Sequence, residues 1–288
     1  MKKIGTVNQT RKILEENGFF MKKKFGQNFL IDQNILSSII SKAEINKKIN
    51  VIEIGPGIGS LTEHLLENAN HVISYEIDNT LIPILTEQFK EYDNFTLLNK
   101  DILKADIKND IKEYFKEDYP VYVVANLPYY ITTPIIMHLL ENVSEVKRYA
   151  VMVQLEVADR ICANKGGKDY NNLTIAIKYR ANVYKALNVS RNVFMPKPNV
   201  DSAVVIFDIY ENKPYKVENE KFFLELVRNA FANRRKTLVN NINQAYKIEK
   251  EEIVEVLNEC GFNPMVRSEE ISIEGFILLS EKLEKRLK

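Results

Sequence analysis

The sequence predicts an α/β fold: a mostly parallel, doubly wound sheet whose last strand runs antiparallel, followed by a small all-helical C-terminal domain. Three observations carry this reading. Between residues 49 and 208, short β-branched runs alternate with stretches of helical spacing. The first strong run leads directly into closely spaced glycines. Beyond residue 212 strand-like runs stop, while helical periodicity continues. With 288 residues, the chain is long enough for two domains, or for one large domain with an appendage. Hydrophobic residues at 45% and charged residues at 27% are ordinary globular usage and exclude a disordered or low-complexity chain.

Residues 1–24 form a basic extension with seven Lys/Arg against two acids and no apolar run long enough for a signal peptide. Five runs then read as buried strands: Val51-Ile52-Glu53-Ile54, Val72-Ile73-Ser74-Tyr75, Phe95-Thr96-Leu97-Leu98, Val121-Tyr122-Val123-Val124 and Tyr149-Ala150-Val151-Met152-Val153. Helical segments such as 60–67 and 81–90 lie between them, and this alternation implies crossovers and parallel pairing. Residues 181–189 and 202–209 also read as strands, but only the turn-rich Met195-Pro196-Lys197-Pro198-Asn199 region separates them. Two strands joined without a helical crossover should pair antiparallel. Helices are expected over 222–231, 234–245, 250–258 and 273–287. The turn Glu211-Asn212-Lys213-Pro214 suggests a boundary, giving domains 1–210 and 211–288.

Lys+Arg at 40 against Asp+Glu at 39 leaves a net charge of +1, so a polyanionic partner must be held by local basic patches. The two cysteines, Cys162 and Cys260, form no CxxC motif, which fits reduced thiols and a cytoplasmic location. No stretch approaches the roughly 18 apolar residues of a membrane span, so no membrane partner is expected. His64, His71 and His138 are scattered without metal-ligand spacing, so no metal is expected and all three read as helix or loop surface.

The most informative segment is Glu53-Ile54-Gly55-Pro56-Gly57-Ile58-Gly59. A strand entering a glycine turn and then a helix lets backbone approach a ligand where a Cβ would obstruct it. Alone, such a turn is weak evidence, because glycines also serve tight turns. Polar residues at the ends of the following strands strengthen it: Glu76, Asp101 and Asn126 each fall just past a strand. In an open α/β sheet these positions converge on one crevice. A carboxylate at Glu76 suits a ribose diol, whose two hydroxyls can both donate to it. The competing reading for each acid is a solvated strand end or a helix cap.

Asn126-Leu127-Pro128-Tyr129-Tyr130 follows the fourth strand. Proline ends a strand well, so this could be a plain turn. Two tyrosines beside an amide make chemical sense if a nucleobase stacks on an aromatic ring while the amide reads its edge.

At this point the chain resembles the ribosomal RNA adenine N6,N6-dimethyltransferases, most closely the bacterial 16S (small-subunit) enzymes. The resemblance runs from about residue 23 to residue 238. It rests on Lys24-Phe25-Gly26-Gln27-Asn28-Phe29-Leu30, the glycine motif, Glu76-Ile77-Asp78, Asn126-Leu127-Pro128-Tyr129, Pro198-Asn199-Val200-Asp201-Ser202-Ala203 and Arg234-Arg235-Lys236-Thr237-Leu238. It implies a Rossmann-like class I methyltransferase sheet with S-adenosylmethionine as cofactor and S-adenosylhomocysteine as product. In that reading Gly55 and Gly57 lie along the cofactor, Glu76 on its ribose, Asp101 near its adenine amine, and Asn28 and Leu30 over its methionine end. Asn126 would touch both cofactor and target base, with Leu127, Pro128 and Tyr129 completing the catalytic turn. Phe194 would cover the face of the base opposite Tyr129. The implied substrate is a pair of neighbouring adenosines near the 3′ end of 16S rRNA in an immature small subunit, acted on by a monomeric enzyme.

Adenine N6 is a poor nucleophile because its lone pair is delocalised, so the task is geometric. If the Asn126 side-chain oxygen and a backbone carbonyl in the Pro128 region accept the two N6 hydrogens, the lone pair turns toward the methyl carbon. Such positioning supplies up to about 7–11 kcal/mol in the best intramolecular models. RNA contacts are expected from Lys22, Lys23 and Lys24 and from Arg228, Arg234, Arg235 and Lys236, where four cations occur without an acid. A solvated helix face is the alternative for each. Three other functions stay open at this stage: a large-subunit rRNA adenine methyltransferase, a small-molecule methyltransferase that would turn over without RNA, and a noncatalytic assembly factor that uses the pocket only for stability.

Overall fold

The computed structural model describes residues 3–19 and 27–287. The sheet of the larger unit is built from β2 (Asn50–Ile54), β3 (His71–Tyr75), β4 (Phe95–Leu98), β5 (Val121–Asn126), β6 (Val146–Gln154), β7 (Ala181–Val189) and β9 (Ser202–Ile209). Two short strands, β1 (Phe29–Leu30) and β8 (Phe194–Met195), pair separately and antiparallel. The helices are α1 (Val7–Glu16), α2 (Gln33–Lys42), α3 (Ser60–Asn68), α4 (Ile82–Gln88), α5 (Ile107–Tyr114), α6 (Thr132–Asn142), α7 (Leu155–Cys162), α8 (Asn172–Lys178), α9 (Glu220–Ala230), α10 (Leu238–Tyr246), α11 (Lys250–Glu259) and α12 (Ile273–Leu287).

The strand order is β4-β3-β2-β5-β6-β9-β7. Every pair from β4 to β6 is parallel, and β9 runs antiparallel to β6 over Arg148↔Asp208 to Gln154↔Ser202. The antiparallel strand is therefore the last one in the chain, as its helix-free connection predicts. All five residues of β2 are buried, the signature of a parallel strand covered on both faces. From β2 the chain winds outward through β3 to β4, then returns to β5 on the other side of β2. That reversal opens a crevice at the carboxyl ends of β2 and β5.

Local chemistry explains the main boundaries. Asp32 caps α2 by accepting from the backbone N–H groups of Asn34 and Ile35. Gly59, with φ +89°, turns the chain from the glycine loop into α3, where a Cβ would lie 2.6 Å from the Phe89 ring. Asn171 and Thr174 form a reciprocal capping box at α8. The helix expected over 234–245 begins only at Leu238. Residues 234–236 instead form a turn, in which Asn233 accepts through its side chain from Arg235 N–H and through its carbonyl from Lys236 N–H.

The domain division differs from the sequence expectation of 1–210 and 211–288. One compact unit takes the described chain up to Ala158 together with Val183–Ile209, and the other takes Asp159–Asn182 with the chain from Tyr210 onward. The cause is apolar patterning: Tyr170, Ile175 and Tyr179 are buried in one cluster with Phe223, Leu226, Ile253 and Phe276. Arg180 adds an ion pair to Glu220 at 2.9 Å. A segment inserted between two strands thus completes the helical core. Among the described residues no helix is long and apolar enough to cross a membrane.

Candidate active site

A single cleft at the β2/β5 reversal is lined by Asn28, Leu30, Gly55, Gly57, Glu76, Asp101, Asn126, Leu127, Pro128 and Tyr129, all expected from the sequence. The glycine turn forms its floor. Gly55 and Gly57 have φ of +67° and +61°, values that side chains disfavour. A Cβ on Gly55 would meet no protein atom within 4 Å and would stand in the cleft itself, whereas one on Gly57 would press on the Phe29 ring at 3.1 Å.

Two carboxylic acids sit on this floor. Glu53 is fully buried; its Oε2 accepts from Thr62 Oγ1 at 2.8 Å and Ser74 Oγ at 2.6 Å, while its Oε1 has no partner among the described residues. Burial pushes its pKa up to about 7 against the opposing pull of the Ser74 and Thr62 hydrogen bonds. Glu76 is raised to about 7 as well, again chiefly by burial, opposed by backbone N–H donors from Asp78 at 2.7 Å and Gly57 at 3.4 Å. Each Glu76 oxygen retains acceptor capacity beyond its backbone donor. The Ser60 hydroxyl, at the first position of α3, also lines the cleft, buried and without a partner. An unmade hydrogen bond on a buried group costs about 1–3 kcal/mol, so these two groups leave hydrogen-bonding capacity that a polar ligand in the cleft can satisfy.

The loop after β4 supplies Asp101, whose Oδ1 accepts from Leu103 N–H at 3.1 Å. Beside it Lys100 donates to the buried Asp110 at 2.6 Å, and the Tyr75 hydroxyl donates to the other Asp110 oxygen at 2.9 Å. The loop carrying Asp101 is thereby tied to α5.

Asn126 ends β5. Its Nδ2 donates to the Asn28 carbonyl at 3.2 Å. A carbonyl can only accept, so this bond decides which end of the amide faces away, and among the described residues no donor reaches Oδ1. Past it, the Pro128 carbonyl accepts from both Ile131 N–H (3.2 Å) and Thr132 Oγ1 (3.0 Å). Both its lone pairs are used, which makes it a poor acceptor for a ligand. The neighbouring Leu127 carbonyl accepts from no described residue, although the Leu127 N–H donates to Met152. Tyr129 is half-buried with its hydroxyl 2.7 Å from Ser202 Oγ, and Tyr130 stands exposed on the rim.

Phe194 is placed elsewhere. It is not on the cleft wall but buried in the core, paired through β8 with Leu30 of β1. Lys22, Lys23 and Lys24 lie outside the described residues. Arg228 is exposed on α9, and Arg234, Arg235 and Lys236 are exposed in the turn before α10, all in the helical unit. His64 is a correction: it is buried, not on the surface, with Nε2 3.0 Å from Gln33 Oε1, because α3 is covered by the N-terminal segment and α2. Among the described residues no group of three or more His, Cys, Asp or Glu could hold a metal.

The sequence placed Glu53 at the crevice as an acid two residues before the first glycine but gave it no specific contact, and it gave Ser60 and Lys100 no role. The available signals were local: an acid two residues before the first glycine, and a hydroxyl directly after the last one.

The family model for ribosomal RNA adenine dimethylase matches residues 18–285. "Ribosomal RNA small subunit methyltransferase A" of Bacillus cytotoxicus is 49% identical over 287 residues, covering 98% of each chain. The protein of the same name from Lactococcus lactis is 48% identical over 282 residues, covering 98% of this chain and 96% of its own. Among solved structures, a dimethyladenosine transferase from Plasmodium falciparum matches with a TM-score of 0.73 and 28% identity, over 89% of this chain and 98% of that one. The 23S rRNA methyltransferase ErmE shares the fold at a TM-score of 0.67 and 24% identity, over 89% and 99% of the two chains.

Proposed function

The chain belongs to the ribosomal RNA adenine dimethylase family, and we propose that it transfers methyl groups from S-adenosylmethionine to N6 of two adjacent adenosines near the 3′ end of 16S rRNA. The products are N6,N6-dimethyladenosine and S-adenosylhomocysteine, and the substrate is an immature small ribosomal subunit met by a cytoplasmic monomer. The observation that carries this reading is the Asn126 amide, held by Asn28 so that its oxygen is the end left to accept. No metal is assigned a part.

The residues suit the donor. The unpartnered Glu53 Oε1 and Ser60 hydroxyl match the ammonium and carboxylate of an amino-acid end, and the bare Gly55–Gly57 backbone admits close approach. Glu76 is assigned to the ribose hydroxyls, Asp101 to the adenine amine, and Asn28 with Leu30 to the wall over the methionine end. When bound, the donor supplies a methyl group on a sulfonium already primed to leave.

The chain's own work is positioning. Asn126 Oδ1 and the Leu127 carbonyl accept the two N6 hydrogens and turn the lone pair away from the ring. The doubly occupied Pro128 carbonyl holds the turn rigid instead. Tyr129 supplies a ring for stacking. Phe194, paired through β8 with Leu30, supports the wall of the cleft. Proton loss follows methylation, once the amine is cationic and acidic, so these amide and backbone acceptors followed by water suffice. Arg228, Arg234, Arg235 and Lys236, with Lys22, Lys23 and Lys24, are assigned to RNA phosphates.

The test is to incubate purified protein with labelled donor and small subunits from cells lacking it, then map the modified nucleotides by mass spectrometry. Dimethyladenosine at two adjacent 16S positions is expected. Modification of large-subunit RNA alone, or turnover of a small molecule without RNA, overturns the reading.

A further inference from the structure

The Tyr129 ring is held at both ends. At its backbone end, the Pro128 carbonyl is fixed by Ile131 N–H and the Thr132 hydroxyl. At its far end, the phenol oxygen lies 2.7 Å from Ser202 Oγ, a contact that joins residues 73 positions apart. Ser202 cannot drift. It is fully buried, begins β9, and stands opposite Gln154 in the antiparallel pair with β6. The preceding residue is pinned too: the Asp201 carbonyl accepts from Leu155 N–H, and the Asp201 carboxylate accepts from Arg191 N–H, both at 2.9 Å.

We infer that Ser202 is a positioning residue for methyl transfer, which fixes the direction of the Tyr129 side chain, its χ1 rotamer, before the target adenine arrives. The inference rests on the adenine methyltransferase reading and deepens it. A stacking ring free to swing between side-chain rotamers loses that entropy each time it captures a base, and it captures the base in several positions. A ring already fixed avoids both losses and delivers N6 along one line to the donor methyl. The phenol is engaged with Ser202, and burial raises its pKa above the ordinary tyrosine value, so Tyr129 acts as a surface and not as a proton-transfer group. The hydroxyl of Tyr129 therefore matters only through Ser202. Replacing either partner should give the same defect.

The experiment is a double-mutant cycle of Ser202→Ala and Tyr129→Phe, with single-turnover rates on small subunits normalised to enzyme that retains labelled donor. Each single variant is expected to lower the rate about three- to tenfold, the span of one neutral hydrogen bond. The double variant should fall no further than either single one. KM for the particle and donor retention should change less than the rate. A target strand carrying 2-aminopurine at the methylated position should show weaker fluorescence quenching with both variants. Tyr129→Phe keeps the ring and the volume, so it carries the test if Ser202→Ala folds poorly. Unchanged rates in Tyr129→Phe, or a double variant losing the product of the two single losses, overturn the inference. If the unaltered protein fails to methylate the particle, the functional reading itself has failed; a methylating protein indifferent to both changes sinks only the role of Ser202.

Discussion

The side-chain nitrogen of Asn126 donates to the backbone carbonyl of Asn28 across 3.2 Å, although the two residues are 98 positions apart. One end of the cleft is expected to hold the donor and the other the base, and this bond joins them. It also orients an amide that could otherwise face either way.

Asn126→Ala removes the oriented acceptor, and methyl transfer should fall by roughly 100-fold or more, as when a single oxyanion-hole donor is removed elsewhere. Particle binding, measured by sedimentation, should persist. Loss of binding in parallel with activity would mean that Asn126 shapes the fold rather than the reaction. Asn126→Asp should be as damaging, because a carboxylate cannot donate to the Asn28 carbonyl.

Gly57→Ala places a Cβ at φ +61° and 3.1 Å from the Phe29 ring. A left-handed conformation costs a non-glycine residue about 1–2 kcal/mol, and for a unit of this size each kcal/mol lowers the midpoint of thermal melting by about 2–4 °C. Gly55→Ala should melt with a comparable backbone penalty, but its Cβ enters the cleft. Donor retention by equilibrium dialysis should therefore fall more than stability does.

Glu53 and Glu76, both raised to about 7, make the ligand-free protein pH-sensitive. Their native pKa values lie above the unfolded value, so the native state holds more protons between about pH 4.5 and 7. Stability from these two acids is thus fully present at low pH and is lost as pH rises toward about 7. Binding of a cationic donor favours the ionised acids and should release protons near neutral pH. Calorimetry in buffers of different ionisation enthalpy measures that release, and Glu53→Gln should diminish it.

Arg234→Glu with Arg235→Glu should weaken RNA binding and flatten its dependence on salt. Each lost phosphate contact reduces the slope of log K against log salt by about 0.7–0.9. A filter-binding series from low to high salt reads this directly. An unchanged slope would remove these residues from the RNA surface.

The long strands, and the helices that became α3, α4, α9, α11 and α12, were legible because their signals are local. The runs at 51–54, 72–75, 95–98, 181–189 and 202–209 carry enough β-branched or aromatic character to mark strands, and they became β2, β3, β4, β7 and β9. The two-residue strands β1 and β8 were not legible, since their pairing depends on a distant partner and not on any periodicity. Phe194, expected from the resemblance to cover the target base, is buried on β8 opposite Leu30 of the cleft wall, a placement that no local pattern announces.

By itself, the sequence determined the alternation of strand and helix, the glycine turn after β2, and the succession of Glu76, Asp101 and Asn126 at strand ends. These follow from backbone sterics and burial of alternate faces, which act over a few residues. Only the tertiary structure decided that β2 lies between β3 and β5, that residues 159–182 complete the helical core, that one Glu53 oxygen is left unpaired, and that Asn28 and Ser202 reach Asn126 and Tyr129. Such pairings are selected by the packing of whole layers, because a hydrogen bond between residues 73 or 98 positions apart forms only after the intervening chain has found its register.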